Sequence, residues 1–142
     1  MHYMMIMMPR DYAKAKPGFV PDNEAIVRMS KYNDELAKAG VLVALNGLTP
    51  PATMSARVTF SGGKSKVVDG PFPESKEVVG GFWIINVNSP EEAKEWASRI
   101  PGSDNEMVEV RRFYDASDFD PETVKKFADR FAEDQYTPGN QK

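Results

Sequence analysis

The side chains best suited to chemistry in this chain gather around one corner. Asp69 precedes Gly70-Pro71-Phe72-Pro73, so a carboxylate is held on a stiff turn beside apolar rings. Partial desolvation there would raise its pKa toward the range of a general base. The plainer alternative is that Asp69 caps its own turn by accepting backbone N–H bonds, a common use of Asp before Gly. Lys76 and Glu77 follow in a polar loop that leads into an apolar run. Such loops rim pockets, although charges of this kind are more often only solvated.

A second set of candidates sits further along the chain. Glu109 and Arg111 are two residues apart, so in a strand they share a face and can pair with each other or with Arg57. A carboxylate-bearing substrate would need such an arginine, and an ion pair across a subunit contact is the equal alternative. With Phe72 and Trp83 as apolar walls, the candidate substrate contacts are Arg57, Phe72, Lys76, Glu77, Trp83, Glu109 and Arg111, around Asp69 as the catalytic candidate. Gly80-Gly81 reads as a close backbone approach or a bulge, because a phosphate cradle calls for a following helix and here a strand follows.

Composition narrows the chemistry. The 142 residues include no cysteine and one histidine, His2. Thiol redox chemistry, disulfides and thiolate metal sites are thereby excluded, no metal site is expected and no cofactor is called for. His2, near the start of a strand, reads as a strand-edge residue rather than a ligand. Lys plus Arg total 18 against 21 Asp plus Glu, a net charge of -3, which offers no general attraction to nucleic acid or anionic lipid. Gly81-Phe82-Trp83-Ile84 also lacks the basic lead and alternating aromatics of an RNA-binding sheet. No apolar run approaches the roughly 20 residues that span a bilayer, and Met4 to Met8 is too short and wrongly flanked for a signal peptide. A cytoplasmic location is the expectation.

The elements that must position these residues can be read in order. His2 to Met8 is apolar on both faces, as in a central strand covered on both sides, and its methionines read as core filler. Asp22 caps a helix whose apolar positions Ala25, Met29, Tyr32 and Leu36 fall on one stripe, and Gly40 ends it. Val41 to Leu45 is a strand. Ser55 to Phe60 and Ser65 to Asp69 flank Ser61-Gly62-Gly63-Lys64 as a hairpin that delivers Asp69 to its corner. Phe82 to Val87 is a strand, and Ser89-Pro90-Glu91-Glu92 opens a helix whose buried stripe is Ala93, Trp96, Ala97 and Ile100. Met107 to Tyr114 is the next strand, with Val108 and Val110 on the face opposite Glu109 and Arg111. A last helix starts at Asp120-Pro121 and carries Val124, Phe127, Ala128 and Phe131. Residues 1–136 form one domain, and 137–142 a loose tail.

This order gives an α+β chain: a ferredoxin-like sandwich with an inserted β-hairpin and an extra C-terminal helix. Both main helices cover one sheet face. The other would expose Trp83 or Phe82, and Met107 with Phe113, which is too much apolar surface for a monomer. A second copy or a ligand is expected to cover it.

Five segments in matching order resemble the DGPF, or YCII-related, family: His2-Tyr3-Met4-Met5-Ile6, Gly47 to Thr53, Asp69 to Phe82, Glu91 to Ala97, and Val108-Glu109-Val110-Arg111. The resemblance implies a homodimer that pairs sheet to sheet into a dimeric α+β barrel. The YciI-like branch uses a His and Asp dyad, whereas the first helix here offers Arg28 and Tyr32 but no imidazole. Asp69 is therefore the acidic candidate. Two functions are carried forward: a cofactor-independent enzyme moving a proton on a small organic acid or lactone, with Arg57 or Arg111 as anion partner, and a non-catalytic dimeric ligand-binding or interaction module.

Overall fold

Two strand–helix–strand halves interleave to make the main sheet. The computed structural model describes residues 1–128. Its elements are β1 (His2–Met8), α1 (Asn23–Lys38), β2 (Leu42–Gly47), β3 (Ala56–Ser61), β4 (Lys64–Asp69), β5 (Gly81–Asn86), α2 (Pro90–Ser98), β6 (Met107–Arg112) and α3 (Pro121–Lys126), with short 3-10 turns at Tyr12–Lys14 and Ala116–Asp118. The four-stranded sheet runs β2-β5-β1-β6, and β3-β4 form a separate two-stranded sheet. All described pairings are antiparallel. The chain is thus α+β, and its described residues form an open sheet and a hairpin rather than a closed barrel.

Local sequence accounts for the ends of these elements. The Asp22 carboxylate accepts the Ala25 N–H at 3.1 Å and starts α1, satisfying one of the amides that a helix start leaves unpaired. Gly40, at φ 73°, closes it in the left-handed conformation that glycine tolerates. Ser89 Oγ accepts the Glu92 N–H at 3.1 Å while the Glu92 carboxylate reaches back to the Asn88 N–H at 3.0 Å, and Pro90 fills the first helical position. Between β3 and β4, Gly62 and Gly63 both adopt positive φ, 58° and 74°. That is the requirement of a two-residue turn whose twist matches a hairpin.

The core lies between the helices and one face of the sheet. Tyr3, Met5 and Met7 of β1 and Trp83 and Ile85 of β5 pack with Tyr32 and Leu36 of α1 and Ala93 of α2. Tyr32 ties the layers together: its ring meets Trp83 edge-on at 6.0 Å, and its hydroxyl donates to the Trp96 carbonyl at 2.7 Å. Burial holds the Tyr32 hydroxyl protonated well above its ordinary pKa. Trp83 Nε1 donates to Asn33 Oδ1 at 2.8 Å, so both buried aromatics have satisfied polar ends.

The opposite sheet face differs from the expectation for β1. Burial alternates strictly along this strand, with Tyr3, Met5 and Met7 buried and His2, Met4, Ile6 and Met8 only half-buried. One chain thus fully covers one side of its central strand. The register also decides between the two aromatics of β5. Phe82 pairs with Ile6 and faces outward, whereas Trp83 pairs with Met5 and faces the helices. On β6, Val108 and Val110 pack against the core, and Met107, Glu109 and Arg111 alternate onto the open face. At the C-terminal side, the Asp120 carboxylate caps α3 through the Thr123 N–H. Val124 is half-buried and Phe127 exposed, and the expected Phe131 contact and loose 137–142 tail fall outside the described residues.

Leu36 has no exposed surface, so Leu36→Ala leaves a cavity beneath α1 and is expected to destabilise the fold by about 2–5 kcal/mol, read as a lower urea midpoint at unchanged m-value.

Candidate functional site

The Asp69 corner is built by close approach of two segments. The Gly70 N–H donates to the Ser55 carbonyl at 2.8 Å, and Ser55 Oγ donates to the Pro51 carbonyl at 2.8 Å. A Cβ on Gly70 would sit 1.8 Å from Ser55 Oγ and 3.1 Å from the Phe72 ring, so this position admits only glycine without rearrangement. The Gly70–Pro71 bond is cis. Beyond it, the Ser75 N–H donates to the Phe72 carbonyl at 3.1 Å, folding Phe72 to Ser75 into a turn.

Arg57 clamps that turn. Its guanidinium lies 3.7 Å from the centre of the Phe72 ring, donates to Ser75 Oγ at 2.7 Å and pairs with Glu74 at 3.5 Å. Both members of the ion pair are more than half exposed, so ring stacking and the Ser75 bond fix the geometry more than the charge does. Sequence reasoning named Arg57 and Phe72 but missed Glu74 and Ser75. The only hint was their place in a proline-stiffened loop, because nothing in linear spacing shows an arginine reaching a residue 18 positions later.

Asp69 ends β4 and is exposed. No described residue donates a hydrogen bond to its carboxylate, and the neighbouring Gly70 amide goes to Ser55. The turn-capping geometry is therefore not formed, and neither is a desolvated nook within one chain. Register explains where the side chain points. Asp69 pairs with Ala56 and Arg57 with Val68, so Asp69 shares a hairpin face with Ala56, Val58, Phe60 and Val67, and Arg57 takes the other. Asp69 and Arg57 are on opposite sides of the ribbon.

The remaining candidates separate by layer. Trp83 is 5% exposed beneath α1, on the far side of the sheet from Glu109 and Arg111. Those two lie exposed on the open face, where Ile6 stands between Phe82 and Glu109 and Met4 between Ile84 and Arg111. Neither forms an ion pair with a described residue, and Arg57 is engaged elsewhere. Lys76 and Glu77 are exposed and also unpaired among the described residues. No group of three potential metal ligands occurs among the described residues.

The second half of the signature is a joint. The Gly80 N–H donates to Met7 O at 2.8 Å, and its carbonyl accepts the Leu48 N–H at 2.9 Å. A Cβ there would lie 2.4 Å from Pro9. Tyr12 closes the same junction through its hydroxyl, which donates to Leu48 O at 2.5 Å and is held protonated by burial. Residues 9–12, 47–48 and 80–81 thus converge at one end of the sheet. The model of the YCII-related domain matches residues 1–117, over the whole of this arrangement. The chain belongs to the YCII-related family. An uncharacterised protein of Rhizobium meliloti (strain 1021) is 35% identical to it over 77 residues, covering 54% of this chain and 61% of that relative's length. In this YCII-related protein no helix among the described residues is long and apolar enough to cross a membrane.

The charge at the end of β6 is locally satisfied. Arg112 grips Asp118 at 2.5 and 2.9 Å and Asp115 at 3.1 Å. The Arg112 hydrogen bonds depress the Asp118 pKa, and bonds from Ser117 depress that of Asp115. His2 is pushed below its ordinary 6.5 by burial and then by the nearby amino terminus.

Two outcomes follow. Gly70→Ala is expected to cost about 1–3 kcal/mol through overpacking against Ser55, with Ser55→Gly recovering part of the loss in thermal melts. Because folded His2 binds its proton less readily than the unfolded chain, stability should fall as pH drops through 6.5, the unfolded state then holding more protons. The His2→Gln chain should show a smaller decline in melting temperature between about pH 7.5 and 5.5, and the Asp115 and Asp118 contributions should be lost only lower, as pH falls below their ordinary 3.8.

Proposed function

We propose that this YCII-related protein works as a homodimer whose open sheet faces oppose each other in a dimeric α+β barrel of ferredoxin-like subunits. The space between them would take a small organic acid or lactone. The observation carrying this reading is the composition of the open face: Met4, Ile6 and Phe82 at its centre, with Glu109 and Arg111 unpaired among the described residues along β6. Apolar surface beside a free guanidinium suits a ligand with a hydrocarbon body and one carboxylate. Arg111 is the better anion partner, since Arg57 already serves Phe72, Glu74 and Ser75. Asp69 would act as the base. Its exposure in one chain means that a second copy must supply the desolvation that proton transfer calls for. Lys76 and Glu77 would rim the entrance, and no cofactor is invoked.

A second reading has its own support. Gly70 and Gly80 are both explained by close packing against Ser55 and Pro9, so the signature can serve as an architectural joint in a non-catalytic ligand-binding or interaction module. A thermal-shift screen of small carboxylic acids and lactones separates the two. Ligands that raise the melting temperature of the wild-type chain should lose that effect in Arg111→Ala, following the mass-action dependence on ligand concentration. In the enzyme reading, Asp69→Asn keeps the ligand-induced shift but loses turnover by at least about 100-fold. Unchanged ligand conversion by Asp69→Asn would remove the catalytic role and leave the binding module.

A further inference from the structure

The hairpin is the least explained part of the chain. All residues of β3 and β4 are exposed, including Phe60 at 80%, Val67 at 63% and Val58 at 48%. Its strands hydrogen-bond only to each other in the described sheets, and a lone two-stranded ribbon is marginal in water. Register places Val58, Phe60 and Val67 on one face, with Asp69 at its base. Whatever covers those apolar side chains therefore also covers Asp69.

The outer surface of β6 has the complementary character. Met107 is 41% exposed, and Arg111 lies on the same face two alternations along. The hairpin surface is apolar with a single carboxylate, and the β6 surface sets Met107 at one end and the Arg111 guanidinium at the other, with Glu109 between them and neither charge in an ion pair among the described residues. Lengths also match. Six hairpin residues reach about 20 Å, whereas a four-stranded sheet is about 14 Å across, so the ribbon is long enough to cross the open face.

We propose that hairpin β3–β4 is an arm that lays its Val58–Phe60–Val67 face along β6 of a second copy, setting Asp69 of one protomer against Arg111 of the other. This rests on the homodimer reading and deepens it: the ligand site is composite, its carboxylate from one chain and its anion-holding arginine from the other. In the absence of ligand the two charges neutralise each other. A bound carboxylate takes over Arg111 and frees Asp69 as a base inside a covered space.

The cysteine-free sequence makes the test direct. Asp69→Cys and Arg111→Cys chains, co-expressed and mildly oxidised, should yield a disulfide-linked dimer on a non-reducing gel. The Asp69→Cys with Lys94→Cys pair, Lys94 lying exposed on α2, should not. Phe60→Ser, at a position too exposed to be needed for folding, should raise the dimer dissociation constant at least about tenfold with an unchanged circular dichroism melt of the monomer. A wild-type dimer that gives no Asp69–Arg111 cross-link and tolerates Phe60→Ser overturns the arm while leaving the homodimer. A wild-type chain that sediments as a monomer overturns both.

Discussion

Strand β1 is apolar on both sides, and the helices of one chain cover only one of them. Every other feature of the molecule can be ordered around that imbalance. The covered side is finished: Tyr3, Met5 and Met7 are buried beneath α1 and α2, and Tyr32 and Trp83 lock the layers with satisfied polar ends, Tyr32 through the Trp96 carbonyl and Trp83 through Asn33. The other side places Met4, Ile6 and Phe82 in line with two charged residues of β6 that have no ion-pair partner among the described residues. Burying apolar surface is the main favourable term in folding and association, so this face has more to gain from docking than the helix-covered side.

The family signature acquires a physical meaning from the same geometry. Gly70 lets the corner close against Ser55, and Gly80 lets the return to the sheet close against Pro9. Between them Arg57 stacks on Phe72 and bonds Ser75, so the loop has a fixed shape even though most of its side chains face water. The result is a fixed, exposed, charged loop between the hairpin and β5. Asp69 is exposed and accepts no hydrogen bond from a described residue, so it is not a turn cap.

The sequence carried much of the architecture, and for physical reasons. Helix starts at Asp22 and Ser89 were legible because capping is local chemistry, and the Gly62-Gly63 turn because positive φ at both positions strongly favours glycine. The split of β6 into Val108 and Val110 against Glu109 and Arg111 followed from strand alternation alone. The candidate site was less legible. Trp83 and Phe82 are adjacent, and only register decides which enters the core. Arg57 was one of two arginines offered as anion partner in a site with Asp69 as base, but hairpin register puts Arg57 and Asp69 on opposite faces. Glu74 and Ser75 went unnoticed because their partner comes from another strand. Asp69 itself ends β4 exposed, because the hairpin face it shares is packed by no other described element.

The most direct measurement is sedimentation velocity on the wild-type chain beside Ile6→Asp, which puts a charge at the centre of the open face without touching the helix-covered core. Shielding of this face by a second copy predicts a wild-type species of twice 15.9 kDa and a folded Ile6→Asp chain at the monomer mass. A wild-type chain that stays at the monomer mass across micromolar to millimolar concentrations would contradict it.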